Sequence, residues 1–262
     1  MHSWNELQEQ LFWDAYDPVI DRYRSPYVFR GHEDMNFRLE TALSRLGGNY
    51  LAMEQHLLRN FRKYAHRDVV EKDSVWHWLA VAQHRGLPTR LLDWSYSPLV
   101  ACHFATQDIE NFQIDGCIWM VNFLKAQAYL PTDLCAKLQE NGGNVFTTTM
   151  LAETIDKLKD LQHRYASVFP VFMEPPSIDD RIVNQYALFS FLSDPACSFE
   201  EWLYAHPDLA RKIIIPAELK WEIRDKLDQS NITERVLFPG LDGLSMWLKR
   251  QYSPKNKNQP HF

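Results

Sequence analysis

The chain has 262 residues, of which 45% are hydrophobic and 24% charged, and its formal net charge is −6. This composition is that of an ordinary globular protein and excludes a disordered, fibrous or collagen-like chain. The acidic balance disfavours nonspecific binding to nucleic acid, although a few arginines suffice to hold one or two phosphates.

Cysteine usage and the amino terminus bear on the compartment. The four cysteines form no closely spaced pairs, so we expect buried free thiols at Cys102, Cys117, Cys135 and Cys197. Glu6 and Glu9 stand where a signal peptide would have a basic region and an apolar run, so none is expected. No apolar stretch approaches the about 20 residues that span a membrane. We therefore expect a cytoplasmic protein without membrane contact.

The first part of the chain predicts a helix, a strand and two more helices. Residues 6–16 are expected to form the first helix, and residues 26–31 read as a short strand that ends at glycine. Apolar residues three and four positions apart predict a helix over 50–64. Residues 74–84 should form another helix, with Ser74 as its cap.

Ser97 followed by Pro98 predicts the start of the next helix, because serine caps a helix and proline suits its first turn. Residues 89–96 are therefore expected to be a connector between two helices. This connector carries Asp93 and Trp94, whose types a plain loop does not need.

Strand and helix signals alternate in the second half of the chain. The predicted elements are strands at 116–122, 187–192 and 211–215, a helix at 150–165, a loop with three prolines at 168–180, and a helix after Pro216. The polar residues 253–262 lack periodicity and predict a mobile tail. The sequence thus predicts one compact α+β domain over residues 1–252.

Three motifs carry a family resemblance. The segment Ala82-Gln-His-Arg-Gly-Leu-Pro-Thr-Arg-Leu-Leu-Asp-Trp94, together with Phe29-Arg-Gly31 and the stretch 181–189, resembles the FRG domain, which is named for its Phe-Arg-Gly motif. The resemblance extends over roughly residues 20 to 250. It implies an FRG-type domain that includes an N-terminal helix, but it supplies no reaction by itself.

The sequence departs from the family pattern at two positions, one in the stretch 181–189 and one in the segment 82–94. Ala187 stands where the family usually has glycine, and Arg85 stands where it usually has tyrosine. In the same third motif, Gln185 and Ser190 are candidate ligand contacts. The alternative is that both are polar residues beside a core strand.

Arg30 is the first candidate for a binding site. An arginine followed by Gly31 places a permanent bidentate cation where the backbone can approach a ligand closely. We interpret this as a site for a phosphate or a carboxylate. The alternative is a structural ion pair with a carboxylate such as Asp93. His32 is either a contact in the same site or a surface histidine.

The segment 82–94 combines amide, imidazole, hydroxyl, guanidinium and carboxylate groups within a short stretch. These groups belong to Gln83, His84, Thr89, Arg90 and Asp93. This density predicts a site. The alternative is a hydrogen-bonded knot in which Asp93 accepts from Arg90 or from backbone amides, with Trp94 packed below.

The order of an early arginine, a Ser-Pro helix and a later strand that contains glutamine is similar to the layout of ADP-ribosyltransferase-like folds. That similarity implies NAD as the cofactor and no metal, with Arg30 on the dinucleotide phosphates. His32 and Gln83 would then orient ribose or amide groups, and Asp93 or Glu54 would stabilise an oxocarbenium charge. Further cofactor contacts would come from His84, Thr89, Arg90, Gln185 and Ser190. Gln185 stands nearest to the place of the decisive glutamate in such folds.

Such an enzyme would ADP-ribosylate a protein or nucleic-acid target or release free ADP-ribose, chemistry suited to a bacterial toxin or an antiphage defence effector. Two other classes stay open. One is a non-catalytic module that binds a nucleotide or a partner protein with the same arginines. The other is a metal-dependent nuclease, for which the acidic pairs Glu33-Asp34 and Asp179-Asp180 are the candidates.

Overall fold

The computed structural model of the protein describes residues 1–65 and 74–255. Most of the expected tail, residues 256–262, lies outside the described residues. Within the described ranges, none of the helices is long and apolar enough to cross a bilayer.

The chain folds into one mixed α+β domain, as the sequence predicted. The strands are β1 (Tyr16–Asp17), β2 (Arg22–Tyr23), β3 (Tyr27–His32), β4 (Leu92–Ser95), β5 (Gly116–Asn122), β6 (Phe146–Thr147), β7 (Pro170–Glu174), β8 (Ala187–Leu192) and β9 (Ala210–Ile215). The first two form a small antiparallel pair, and the other seven form one sheet in the order β6-β7-β8-β4-β3-β5-β9.

Helices cover this sheet and connect its strands. They are α1 (Trp4–Leu11), α2 (Tyr50–Ala65), α3 (Val75–His84), α4 (Pro98–Ala105), α5 (Phe123–Ala126), α6 (Thr132–Glu140), α7 (Thr148–Thr154), α8 (Asp160–Arg164), α9 (Asp180–Asn184), α10 (Phe199–Tyr204), α11 (Lys220–Gln229), α12 (Glu234–Leu237) and α13 (Leu241–Gln251). The helix starts predicted at Ser74 and Ser97 are confirmed, because each serine accepts a hydrogen bond from a backbone amide in the first turn.

The pairing of strands is uneven at the centre of the sheet. β3 pairs with β5 along its whole length, from Tyr27 to His32. Its pairing with β4 on the other side is limited to Phe29 opposite Ser95. The two central strands therefore separate beyond this pair, and a gap opens between Arg30 on β3 and Asp93 on β4.

The face of the sheet that lines this gap follows from the register. Directly paired residues share a face, so Phe29, Ser95 and Ala187 lie on the same side, as does Phe189 two residues further along β8. Phe29 belongs to the buried cluster that contains α4 residues, and Phe189 belongs to the cluster that contains α3 residues. The gap thus lies where two groups of helices meet on one face.

Gly31 is required by the packing of α4 on the sheet. A Cβ atom at this position would lie 2.0 Å from the carbonyl oxygen of Ala101 and 2.6 Å from the amide nitrogen of Ala105. From the sequence, this glycine was expected to let the backbone approach a ligand, and that stays a prediction. The structure shows a close approach to a helix, since a side chain here would push α4 off β3.

Two predicted connections are wrong because they contain strands. Residues 89–96 include β4, which pairs with β8 along its whole length. The proline-rich stretch 168–180 includes β7, in which Pro170 is the first residue and so occupies a position that a strand tolerates.

Two helix predictions need shorter bounds. The helix predicted over 150–165 is two helices, because Ile155 is extended and its carbonyl oxygen accepts a hydrogen bond from the indole of Trp76 at 2.7 Å. The first helix ends at Leu11 rather than residue 16. The cysteines are free as expected, although only Cys102 and Cys117 are buried.

Candidate functional site

A cavity of about 790 Å³ lies at the gap between β3 and β4. Its volume is within the roughly 300–1,000 Å³ that is usual for small-molecule sites. The cavity brings together five of the residues that the sequence analysis selected: Arg30, Gln83, His84, Asp93 and Gln185. These residues come from β3, from the end of α3, from β4 and from the segment before β8.

Arg30 is fixed at one edge of the cavity by two hydrogen bonds. Its Nε donates to Nε2 of His32 at 3.1 Å, and its Nη1 donates to the carbonyl oxygen of Asp93 at 2.7 Å across the gap. Burial lowers the pKa of the guanidinium and the nearby Asp93 carboxylate opposes this, but an arginine remains charged. Within the described residues, nothing accepts from Nη2. The side chain therefore presents a positioned cation with donor capacity to spare.

His32 acts on Arg30 and does not line the cavity. Its ring is buried, and burial together with the Arg30 charge lowers its pKa to about 3. The ring is therefore neutral, with Nδ1 donating to the carbonyl oxygen of Phe37 at 3.1 Å and Nε2 accepting from Arg30. We assign His32 as a residue that orients Arg30, in place of the ribose contact that the sequence analysis expected.

Asp93 presents its carboxylate to the cavity and is positioned by Gln83, which is held in turn by Thr89. Nε2 of Gln83 donates to the carboxylate at 2.7 Å, and Oε1 of the same amide accepts from the hydroxyl of Thr89 at 2.5 Å. The carboxylate also lies 3.8 Å from Nη1 of Arg30, and its side chain is 57% exposed. Thr89 is buried and reaches the cavity only through Gln83.

Arg90 and Glu54 form a separate, sealed pair. Nε and Nη2 of Arg90 donate to the two carboxylate oxygens of Glu54 at 2.7 and 2.5 Å, and both side chains are 5% exposed or less. Neither residue lines the cavity. The pair ties α2 to the segment before β4, so the geometry offers Glu54 no contact with a developing charge in the cavity. Asp93 accepts from Gln83 and not from Arg90, unlike in the knot considered above.

The third motif divides between the cavity and the core. Gln185 lines the cavity, but its amide donates to the carbonyl oxygen of Leu237 at 2.9 Å. Ser190 is fully buried and accepts from the indole of Trp94 at 2.7 Å, so it has no access to a ligand in the cavity. Ala187, where the family usually has glycine, forms part of the cavity wall.

The cavity is lined by charges of both signs. The cations are Arg30, Arg85 and Arg181, and the acids are Asp93, Asp179, Asp180 and Asp242. Nε2 of His84 and the carboxylate of Asp179 form a short hydrogen bond. Burial raises the pKa of Asp179, but the hydrogen bonds from His84 and from the backbone more than offset it, so the pKa is lowered overall. Asp179 is therefore ionised at neutral pH.

Sequence reasoning missed the wall that the last two helices supply. Phe238 and Pro239, between α12 and α13, line the cavity with Asp242 and Met246 of α13. The guanidinium carbon of Arg181 lies 4.9 Å from the centre of the Phe238 ring. No spacing pattern links this segment to Arg30 some 200 positions earlier, so only the fold reveals the contact.

The acidic pairs considered for a nuclease lie in different places. Asp34 accepts from Asn36, and Glu33 accepts from Asn111, outside the cavity. Asp179 and Asp180 are in the cavity wall. In the parts of the chain that the structure describes, no three His, Cys, Asp or Glu side chains come together as a metal-binding group.

Fold and cavity together define a mixed α+β protein with a polar, mixed-charge cavity of small-molecule size. Residues 25–113, about a third of the chain, match the model of the FRG domain family, so this segment is similar to an FRG domain. The match is shorter than the span expected from the motifs and includes β3, β4 and one half of the cavity wall. No curated protein and no solved structure matches the chain.

Proposed function

We propose that the chain binds NAD in this cavity and cleaves the bond between nicotinamide and ribose, either transferring ADP-ribose to a target or hydrolysing NAD. One observation carries this proposal. A positioned guanidinium, Arg30, and an accessible carboxylate, Asp93, lie 3.8 Å apart in a cavity of about 790 Å³. A site that both holds phosphates and stabilises a cation needs these two groups close together.

The mixed charge of the cavity supports a dinucleotide better than a simple anion. NAD combines two phosphates with a positively charged pyridinium ring. The planar guanidinium group of arginine can donate two parallel hydrogen bonds to phosphate oxygens. Three arginines, Arg30, Arg85 and Arg181, line the cavity. A carboxylate held by a protein hydrogen bond stabilises positive charge that develops on the ribose, and Asp93 held by Gln83 is such a group.

A non-catalytic nucleotide-binding module is the second candidate. Gln185 favours it, because this residue stands nearest to the place of the expected glutamate and its amide is bound to Leu237. Such a module would use the arginines for affinity without breaking a bond. Under the first proposal, the acceptor of ADP-ribose is a protein or nucleic-acid group or water, as in an effector of bacterial defence.

The test is calorimetric titration of the purified protein with NAD, followed by chromatography for released nicotinamide. Arg30→Gln should weaken binding by about 10-fold or more, since a hydrogen bond to a charged group contributes about 1.5–3 kcal/mol. Arg38→Ala is the matched control, because Arg38 pairs with surface acids outside the cavity.

The outcomes separate the two candidates. Binding and release that both depend on Arg30 would support an NAD-cleaving enzyme. Binding without release would favour the module. A wild-type protein that neither binds NAD nor releases nicotinamide would contradict the proposal.

A further inference from the structure

His84 and Asp179 form a dyad that belongs to two different elements of the cavity wall. His84 is the last residue of α3, and Asp179 is the N-cap of α9. Nε2 of the imidazole is hydrogen-bonded to Oδ2 of the carboxylate. The residues are 95 positions apart in the chain, and from the sequence they were two separate predictions, a cofactor contact and half of an acidic pair.

Asp179 is held in place from two sides. Its Oδ1 accepts from the backbone amide of Ile182 at 3.3 Å, which leaves Oδ2 for His84. The imidazole is fixed in turn, because its side chain is only 7% exposed at the end of a buried helix. This is the arrangement in which a carboxylate orients a histidine and stabilises its protonated form.

The hydrogen bond also determines the tautomer of the ring. Because the carboxylate of Asp179 is ionised and can only accept, Nε2 of His84 carries the hydrogen. In the neutral ring, Nδ1 then carries the lone pair. Among the described residues, none forms a hydrogen bond with Nδ1. His84 is one of the residues that line the cavity, and its Nδ1 is not occupied by the described part of the chain.

We propose that His84, oriented by Asp179, is the general base of the cavity. This inference rests on the proposed cleavage of NAD and assigns its proton transfer. The histidine would act on water or on the hydroxyl of a target, and Asp179 would be a positioning residue. Neither Asp93 nor Glu54 has this role, because Asp93 faces the arginine and Glu54 is sealed against Arg90.

The step balances without another reactant. The attacking oxygen forms a bond to C1′ of the ribose while the bond from C1′ to the pyridinium nitrogen breaks. The electron pair of that bond leaves with neutral nicotinamide. Nδ1 of His84 takes the proton of the attacking hydroxyl, and the imidazolium, paired with Asp179, then releases it to solvent.

The pH dependence of this step is set by charges on several elements. The charged groups that share the cavity with His84 are Asp179, Asp180 and Arg181 from α9 and its cap, Arg30 and Asp93 from the central strands, Arg85 after α3, and Asp242 from α13. With the base acting in its neutral form, the rate of release should rise with pH and level off once His84 is deprotonated.

The experiment measures nicotinamide release and NAD affinity for His84→Gln and Asp179→Asn between pH 5 and 8. We expect His84→Gln to lower the rate about 10²- to 10⁴-fold and to remove the rise with pH, with NAD affinity within a few-fold of wild type. Asp179→Asn should lower the rate less and displace the pH profile to lower pH, because the imidazolium loses the carboxylate that stabilises it. His56→Gln, at an exposed position of α2, is the matched control.

Three results are distinguishable. A wild type that releases nicotinamide, with His84→Gln equal to it across the pH range, would overturn the assignment of His84 and leave the proposed function intact. Loss of NAD binding in His84→Gln would make the residue a ligand contact and also overturn its role as base. A wild type that releases no nicotinamide overturns the proposed function and the step assigned to His84 with it.

The state of the ring can be read without any substrate. Nitrogen NMR of labelled protein should show the neutral form of the His84 ring with a hydrogen on Nε2 and a bare Nδ1. A ring with its hydrogen on Nδ1 would overturn the proposal. Because this measurement uses the wild-type protein, it does not depend on whether either variant folds normally.

Discussion

Two arginine–carboxylate pairs that lie close in the fold have opposite surroundings. Arg90 and Glu54 share two hydrogen bonds, and both side chains are almost fully buried. Arg30 and Asp93 are 3.8 Å apart at the edge of a cavity, with each group held by other partners. The first pair is closed except for Nη1 of Arg90, which is buried without a hydrogen-bond partner, whereas the second keeps capacity for a ligand.

This difference shows why residue type alone does not identify a binding arginine. Both arginines belong to motifs of the same family and both have acids as neighbours. What separates them is the partner. Glu54 accepts from both Nε and Nη2 of Arg90, while Arg30 is held by a neutral histidine and a carbonyl group, with the Asp93 carboxylate 3.8 Å away.

Glu54→Gln should cause the largest loss of stability. The substitution leaves the buried guanidinium of Arg90 without a counter-charge, and breaking such a pair costs about 3–5 kcal/mol. Urea unfolding measures the effect, and the folded variant should keep its affinity for NAD. The double variant Glu54→Leu with Arg90→Met is the control, because it removes both charges and should recover much of the lost stability. A loss below about 1 kcal/mol in Glu54→Gln would contradict the structural role.

His32→Gln should change how stability depends on pH. The pKa of His32 is about 3 in the folded protein, where the ring is buried and neutral. In the unfolded chain the pKa returns to its ordinary value of 6.5, so the unfolded chain binds a proton more readily. The contribution of His32 to stability is therefore present above pH 6.5 and is lost as the pH falls towards 3. For one proton the slope approaches about 1.4 kcal/mol per pH unit.

Unfolding of both proteins between pH 6.5 and 5 measures this slope before most carboxylates titrate. On acidification, the free energy of unfolding should fall more steeply for wild type than for His32→Gln. The difference in slope should be at most that of one bound proton, about 1.4 kcal/mol per pH unit. His103, which is also buried with a pKa of about 3, contributes equally to both and cancels in the comparison. Identical slopes would show that His32 is protonated in the folded protein and does not accept from Arg30.

Asp93→Asn should have the smallest effect on stability, at most about 1 kcal/mol, because the carboxylate is more than half exposed. Its effect should appear in the reaction instead. Without the negative charge we expect nicotinamide release to fall about 10²- to 10³-fold while the protein still binds NAD. Thermal unfolding, calorimetry and the release assay on one preparation separate these quantities. An unchanged release rate would remove Asp93 from the chemistry.

The sequence predicted those elements whose local signals agree with the fold. The Ser-Pro start of α4 and the apolar run of β5 were both recognised, because cap chemistry and strand propensity are local. β4 was missed, because its four residues include the polar Asp93 and are too few to show alternation. β7 was missed because Pro170 reads as a breaker when its position at the strand start is unknown.

The site was predictable only in part for a similar reason. Arg30 and Asp93 were selected from residue type and motif, and the fold brings them together. Asp179 was noticed only as one of two adjacent acids, since the contact with His84 depends on how α9 is placed. Nothing local distinguishes Glu54, which is sealed, from an acid that faces a ligand. Burial decides that question, and burial is a property of the whole fold.

The strand order has a consequence for how this protein can be divided or recombined. The described part of residues 25–113 contributes β3 and β4 to the large sheet, and both outer neighbours of that pair, β5 and β8, come from later in the chain. Cut out alone, the matched segment would expose unpaired strand edges on both sides and half of a cavity. The family match therefore covers the centre of one sheet rather than a unit that can be transferred alone, and grafting it into another protein would transfer Arg30 without its complete cavity.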